Sequence, residues 1–457
     1  MPPPSTTTSS AIVAATGPPT SRAKSSVGLF SLIAATFFMV SGGPYGLEDV
    51  LQRSGYSAAI VILILTPIIW SLPVALLVGE LGAALPEEGG YYAWVARALG
   101  PFWGFQEAWL SLAASIFDMA IYPTLFVLYL GRLWPVASRG HNGILIGMAM
   151  IAICAAWNIA GARAVGGGSV LLAVALLGPF VVIAVAALAQ HPAAHASPTA
   201  QVDVLGGIMI AMWNYMGWDN ASTIAGEVQR PQRTYPLAML GALVLIILSY
   251  VIPIAALKHS GIDVSQWSTG SWVQAGQSLG GEALALAIVA GGMICGVGMF
   301  NALVLSYSRV PLAMAEAGYL PRAFAWTTRG SQAPWVSIIA CAIAWAACLA
   351  LNFERLVLID VLIYGAALML EFVALAVLRW KEPQLNRPFR IPGGVPVAIA
   401  LGLGPLALLV LAFIRGREEP ASGVNPIYLS VGIALAGIVL YFAARKRMKN
   451  SKFKVQH

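Results

Sequence analysis

Glu48, Glu107, Asp118, Asp219, Glu227, Asp360 and Glu371 sit in stretches otherwise built largely of Leu, Ile, Val, Ala and Phe. No Lys or Arg falls in the middle of any of those stretches. An ionisable group at membrane depth costs several kcal/mol and usually faces a cavity, where it serves an ion or substrate path. A cavity acidic on balance and without basic partners prefers cations. The other reading of each acid is a protonated or hydrogen-bonded strut between helices. Glu107, Ser111, Ser115, Asp118 and Tyr122 follow one another at intervals of four, four, three and four, along one face of a helix. Asp118, near the middle of its stretch, is the first choice for holding an amine. Glu107, nearer one end, also fits a tie between helices. Asp360, Tyr364 and Glu371, four and seven apart, repeat the one-sided pattern and are open to both readings.

Two interrupted segments are expected to position these groups. Ser41 to Val50, SGGPYGLEDV, breaks an apolar run with Gly42, Gly43, Pro44, Tyr45 and Gly46. In lipid an unwound backbone is tolerated only where protein or a water-filled cavity satisfies it, so the break reads as a binding site for both a cation and a polar ligand. AMWNYMGWDNASTIAGEV repeats the anomaly with Trp213, Asn214, Tyr215, Gly217, Asp219 and Asn220. Interrupted segments at corresponding places in two halves are the mark of an inverted-repeat transporter. Trp213, Tyr215, Trp218 and Tyr45 are placed to give cation-π contacts to an alkylammonium, each about 0.5–2 kcal/mol, or to anchor interfaces and fill the core. Asn301, with Ser306 and Ser308, adds a polar lining or a bridge between helices. Glu48 falls in the first turn of the restarted helix, where a carboxylate is favoured, and so competes for the amides an amino acid's carboxylate would use. Asp219 has two readings: a titrating group where proton and cation compete, or a cap on the restarted helix.

Of 457 residues, 59% are hydrophobic and 10% charged, which defines a polytopic membrane protein. Twelve spans are expected, near 28–54, 57–83, 100–132, 142–160, 168–190, 204–229, 236–258, 282–311, 334–352, 355–379, 396–414 and 425–444. Residues 1–26, rich in Pro, Ser and Thr, form an expected disordered cytoplasmic tail without signal-peptide features. Spans one to ten, 27–380, form the expected transporter core, followed by two added spans in 395–445 and a basic cytoplasmic tail at 446–457. With an even number of crossings, 19 of the 26 Lys and Arg share the face of the termini. The positive-inside rule makes that face cytoplasmic, in the plasma or inner membrane. The net charge of +7 is therefore topology, not a nucleic-acid patch. The four cysteines lie in apolar segments without CxxC spacing, so neither a metal site nor a disulfide scaffold is indicated. The five histidines lie in loops or the tail, which leaves no nucleophile-base set or metal site at membrane depth for an enzyme. No repeated filter loop suggests a channel. A non-transporting substrate sensor remains as a third possibility beside the carriers.

GELGAALPEEGGYYAWVARALGPFWGFQEAW (79–109), AGEVQRPQRTYPLAM (225–239), SRVPLAMAEAGYLP (308–321) and LRWKEPQLNRPFRIPGG (378–394) resemble the amino acid-polyamine-organocation superfamily over nearly everything from Val27 to Tyr441. GGPYGLED and FDMAIYP (117–123) are more similar to its polyamine-uptake branch. The resemblance implies an all-α integral membrane fold with a leucine-transporter-type 5+5 inverted repeat, in which substrate lies between discontinuous helices one and six. It implies a secondary active carrier for small organic cations such as putrescine or spermidine, with no cofactor; the alternative is an amino acid permease on the same scaffold. In related arginine-agmatine exchangers a Trp and an acid six apart act as gate and proton-sensitive group, which implies such roles for Trp213 and Asp219, with Glu227 a further proton candidate. Two departures stand out. Gly42-Gly43-Pro44-Tyr45-Gly46 replaces the usual small-residue cradle for a substrate carboxylate. The span-five lysine of proton-coupled members falls near Leu176, so the coupling ion stays open between proton and sodium.

Overall fold

The computed structural model describes residues 27–87, 89–161, 169–190, 203–351, 353–418 and 425–455; the tail at 1–26 and the last two residues of the basic tail lie outside them. The described residues form helices joined by short turns: α1 (Leu29–Val40), α2 (Glu48–Thr66), α3 (Leu72–Ala84), α4 (Gly90–Leu99), α5 (Pro101–Leu133), α6 (His141–Ala160), α7 (Ser169–Leu188), α8 (Val204–Trp213), α9 (Pro231–Ser260), α10 (Trp272–Tyr307), α11 (Arg309–Glu316), α12 (Trp335–Ala346), α13 (Phe353–Lys381), α14 (Gly394–Glu418) and α15 (Pro426–Val455). Among the described residues, nine helical stretches are long and apolar enough to cross a membrane, and α1 and α12 are shorter apolar helices.

The breaks fall where sequence chemistry places them. α1 stops at Val40 and α2 starts at Glu48, with Gly43 at φ 70° and Gly46 at φ 88° between them, a region glycine enters without steric penalty. α8 stops at Trp213, Gly217 takes φ 92°, and a 3-10 segment runs over Trp218–Glu227. α2 kinks at Gly55. It joins α3 through a π-helical turn at Pro67–Ser71, where the proline has no N–H to continue the α-helical ladder. Gly100 ends α4 by donating its N–H to Ala96, and Pro101 opens α5, the preferred first position for proline.

α5 lies in the core against α10 and α13, and its inward face is nearly all buried. α14 and α15 leave apolar side chains such as Leu403, Val410, Leu435 and Val439 exposed, the surface expected of a lipid-facing helix. A parallel bridge between Val27 and Val228 ties the start of α1 to the end of the second break. Glu80 of α3 pairs with Arg379 of α13 through Nε and Nη2 of the guanidinium and accepts from the Ile391 N–H at 2.8 Å. The GELG and FRIPGG motifs are thereby one buried tie.

Candidate substrate site

The two breaks meet each other. A Cβ on Gly217 would sit 2.4 Å from the Met39 carbonyl oxygen, and one on Gly46 would sit 3.2 Å from the Trp213 ring. Gly42 faces Cys295 and Met299 of α10, where a Cβ would come within 2.1 and 2.8 Å of their sulfurs. Glycine is required by close approach at all three positions, and at Gly46 and Gly217 by φ as well.

Side chains from distant helices satisfy the unwound backbone. Trp272 Nε1 donates to the Pro44 carbonyl at 2.9 Å, and Tyr250 Oη to the Asn214 carbonyl at 2.7 Å. The Gly217 N–H donates to Tyr364 Oη at 3.1 Å, and Tyr364 in turn donates to Asp219 Oδ1. Glu48 is fully buried, and its Oε2 accepts the Gly46 N–H at 2.8 Å. Its Oε1 accepts the Gly270 N–H at 2.8 Å and the Tyr129 hydroxyl. The chain's own carboxylate thus occupies one donor of the first break, the Gly46 amide.

Asp118 sits at the centre of an aromatic cage. Tyr122 Oη donates to its Oδ1 at 2.7 Å, Trp213 Nε1 to the same oxygen at 3.3 Å, and Tyr307 Oη to Oδ2 at 3.4 Å. Tyr122 and Trp213 stack at 6.3 Å between centroids. A carboxylate ringed by π-faces is matched to an alkylammonium, which needs a counter-charge and gains from ring quadrupoles.

The remaining expected residues take distinct places. Tyr45 donates to the Ile288 carbonyl at 3.0 Å and packs edge-on against Tyr129 and Phe180. Tyr215 is buried against Tyr250, with its hydroxyl on the Leu63 carbonyl at 2.7 Å. Asn301 accepts from Asn158 Nδ2 at 2.6 Å, so it bridges α10 to α6 and makes no hydrogen bond to the cage. Leu176 packs against Gly43, where a Cβ would lie 2.7 Å from its Cδ2; the place of the family's lysine is filled by an apolar side chain beside the first break. The Glu227 side chain lies outside the described residues. Tyr307 and Tyr129, which complete the cage and hold Glu48, are unmarked in the sequence: each is one more aromatic residue in an apolar helix.

A family description for amino acid permeases matches residues 28–439. The chain belongs to the amino acid permease family. This places it in the amino acid-polyamine-organocation superfamily and makes it an integral membrane transporter of a permease family, not an enzyme. It is 34% identical to Polyamine transporter PUT1 of Oryza sativa subsp. japonica, over 94% of this chain and 80% of the relative. It is also 34% identical to Polyamine transporter RMV1 of Arabidopsis thaliana, over 87% and 83%. More distantly, it is 26% identical to the Serine/threonine exchanger SteT of Bacillus subtilis strain 168, over 92% and 98%. The permease thus has both polyamine and amino acid transporters among its relatives.

Proposed function

We propose that this permease carries small organic cations, foremost polyamines such as putrescine and spermidine. The observation that supports this most is Glu48, whose carboxylate accepts the Gly46 N–H where an amino acid substrate would place its own. A ligand made only of amines needs no such donor, and it finds its counter-charge at Asp118 among Tyr122, Trp213 and Tyr307. The polyamine transporters among the relatives agree with that chemistry. Amino acid transport is the competing reading, favoured by the serine/threonine exchanger.

On this reading the helices make twelve crossings: α1 with the start of α2 as the first, α8 with Trp218–Glu227 as the sixth, and the first ten in 27–380 forming two inverted halves. Both termini are cytoplasmic by the positive-inside rule. A proton drives uptake, with Asp219 as its carrier: its carboxylate holds Tyr364, which holds the Gly217 amide, so protonation and the geometry of the second break are linked. Sodium is the alternative coupling ion.

The test is uptake of labelled putrescine into proteoliposomes, competed by putrescine, arginine and leucine under a proton gradient. Uptake that putrescine competes and arginine and leucine do not supports the reading, and no putrescine uptake, or uptake that leucine or arginine competes as well as putrescine does, contradicts it. Asp219→Asn is expected to bind substrate but lose concentrative uptake. Concentrative, pH-dependent uptake by that variant would remove Asp219 from the coupling role and leave it a cap.

A further inference from the structure

Glu107 and Glu371, outside the cage, form a second tier. α5 and α13 pack together, and each carries two acids eleven residues apart, Glu107 and Asp118 on one and Asp360 and Glu371 on the other. Eleven residues make three turns, so both acids of a helix share a face. Asp360 lies within electrostatic reach of Asp118, and Glu371 of Glu107; this crossed order is what antiparallel helices produce. At 1.5 Å per residue the tiers are about 16 Å apart along the axis. Asp219 lies within reach of both. Among the described residues no three metal-ligating side chains converge on one point; the acids are spread along the axis instead.

The outer tier has the polar groups of a site. Glu107 and Glu371 are 0% and 1% exposed. Glu107 Oε1 accepts from Ser111 at 2.7 Å, whereas Glu107 Oε2 and Glu371 Oε2 have no hydrogen-bond partner; the hydroxyl of the fully buried Tyr91 lies beside Ser306. Tyr91 lies within electrostatic reach of both acids. Buried polar atoms are almost always paired, so two orphan carboxyl oxygens in one neighbourhood are an exception that calls for a donor. An ammonium group supplies three.

We propose that Glu107, Glu371 and Tyr91 form a second ammonium subsite that takes the far end of a polyamine whose near end lies at Asp118. The subsite rests on the reading of this permease as an organic-cation carrier and adds its preferred chain length. An extended chain spans about 3.5 Å for every three bonds. By that measure a four-carbon diamine reaches about 6 Å and a spermine-like tetraamine about 15 Å. The diamine is held at Asp118 alone; the tetraamine reaches both tiers and passes Asp219 between them.

The test measures inhibition of labelled putrescine uptake by putrescine, spermidine and spermine in wild type, Glu107→Gln/Glu371→Gln and Tyr91→Phe. Putrescine uptake by each variant reports that it folds. The double variant is expected to keep putrescine inhibition within about twofold of wild type while spermine inhibition weakens tenfold or more, at about 1.4 kcal/mol per decade. Tyr91→Phe, which keeps the ring, is expected to weaken spermine about threefold and leave putrescine unchanged, as for one hydrogen bond. Equal loss at every chain length, or no loss at any, in the variant that folds overturns the subsite. A wild type that takes up no amine at all refutes the carrier reading itself, which separates the two failures.

Discussion

Replacing Asp118 by Asn removes one charge and almost no volume from the cage. Asn Oδ1 can still accept from Tyr122 and Trp213, which now reach Asp118 Oδ1 at 2.7 and 3.3 Å. Its Nδ2 replaces the oxygen that meets Tyr307 at 3.4 Å, and the Tyr307 hydroxyl can turn to accept. The fold therefore keeps its hydrogen bonds while the ligand loses its counter-charge. Truncating one partner of a buried, hydrogen-bonded charge pair costs about 2–5 kcal/mol. Asn retains an acceptor, so the loss belongs at the lower end, about 2–3 kcal/mol, or about 30- to 150-fold in Kd. The rings of Trp213 and Tyr122 stay, and cation-π contacts of about 0.5–2 kcal/mol each keep binding measurable. Equilibrium binding of labelled putrescine to the purified permease in nanodiscs gives the ratio, with thermal unfolding measured on the same samples. A Kd within twofold of wild type and an unchanged Tm would refute the placement of the amine at Asp118.

Gly46→Val puts a β-branched residue at φ 88° with its Cβ 3.2 Å from Trp213; transport should fall at least tenfold, whereas Gly432→Val, with nothing within 4 Å, should be neutral in the same uptake assay. Arg379→Met leaves the buried Glu80 carboxylate with only the 3.4 Å ion pair to Arg387 and should cost about 3 kcal/mol, the low end for breaking a buried pair, read as a lower Tm. Outside the spans, burial alone would raise the Asp203 carboxyl, but the Gly206 amide and the charges of Arg415 and Arg53 hold it below the usual carboxylate range. A depressed folded-state pKa gives stability that is present above the unfolded value and lost as pH falls through the folded one. Asp203→Asn should therefore lower Tm at neutral pH, and the gap to wild type should close below the ordinary carboxylate range.

What was legible in the sequence is what breaks the pattern of an apolar helix. Gly43, Gly46 and Gly217 mark the unwound backbone because glycine and proline stand out at membrane depth, and Glu48 and Asp118 stand out by charge. The helical spacing from Glu107 to Tyr122 foretold that Asp118 and Tyr122 would meet, since neighbours four apart lie on one face. The partners that complete the site were hidden. Tyr129 lies 81 residues from Glu48, Gly270 lies 222 from it, and Tyr307 lies 189 from Asp118, and no local pattern reports contacts across such separations. Asn301 reads the same in sequence as lining or as bridge, and only its distance to Asn158 shows the bridge it makes. The GELG stretch marks the family without revealing that Glu80 anchors Arg379 and the Ile391 amide.

Putrescine and ornithine carry the same two amines on the same four-carbon chain, and ornithine adds one carboxylate. Their equilibrium affinities for the wild-type permease, measured side by side by calorimetry, isolate that group. With Glu48 already on the Gly46 amide, an added carboxylate cannot take that donor and must be desolvated beside acids, a penalty of at least about 1–3 kcal/mol. Putrescine is therefore expected to bind tenfold or more tightly than ornithine. Ornithine binding as tightly as putrescine, or more tightly, would contradict the account.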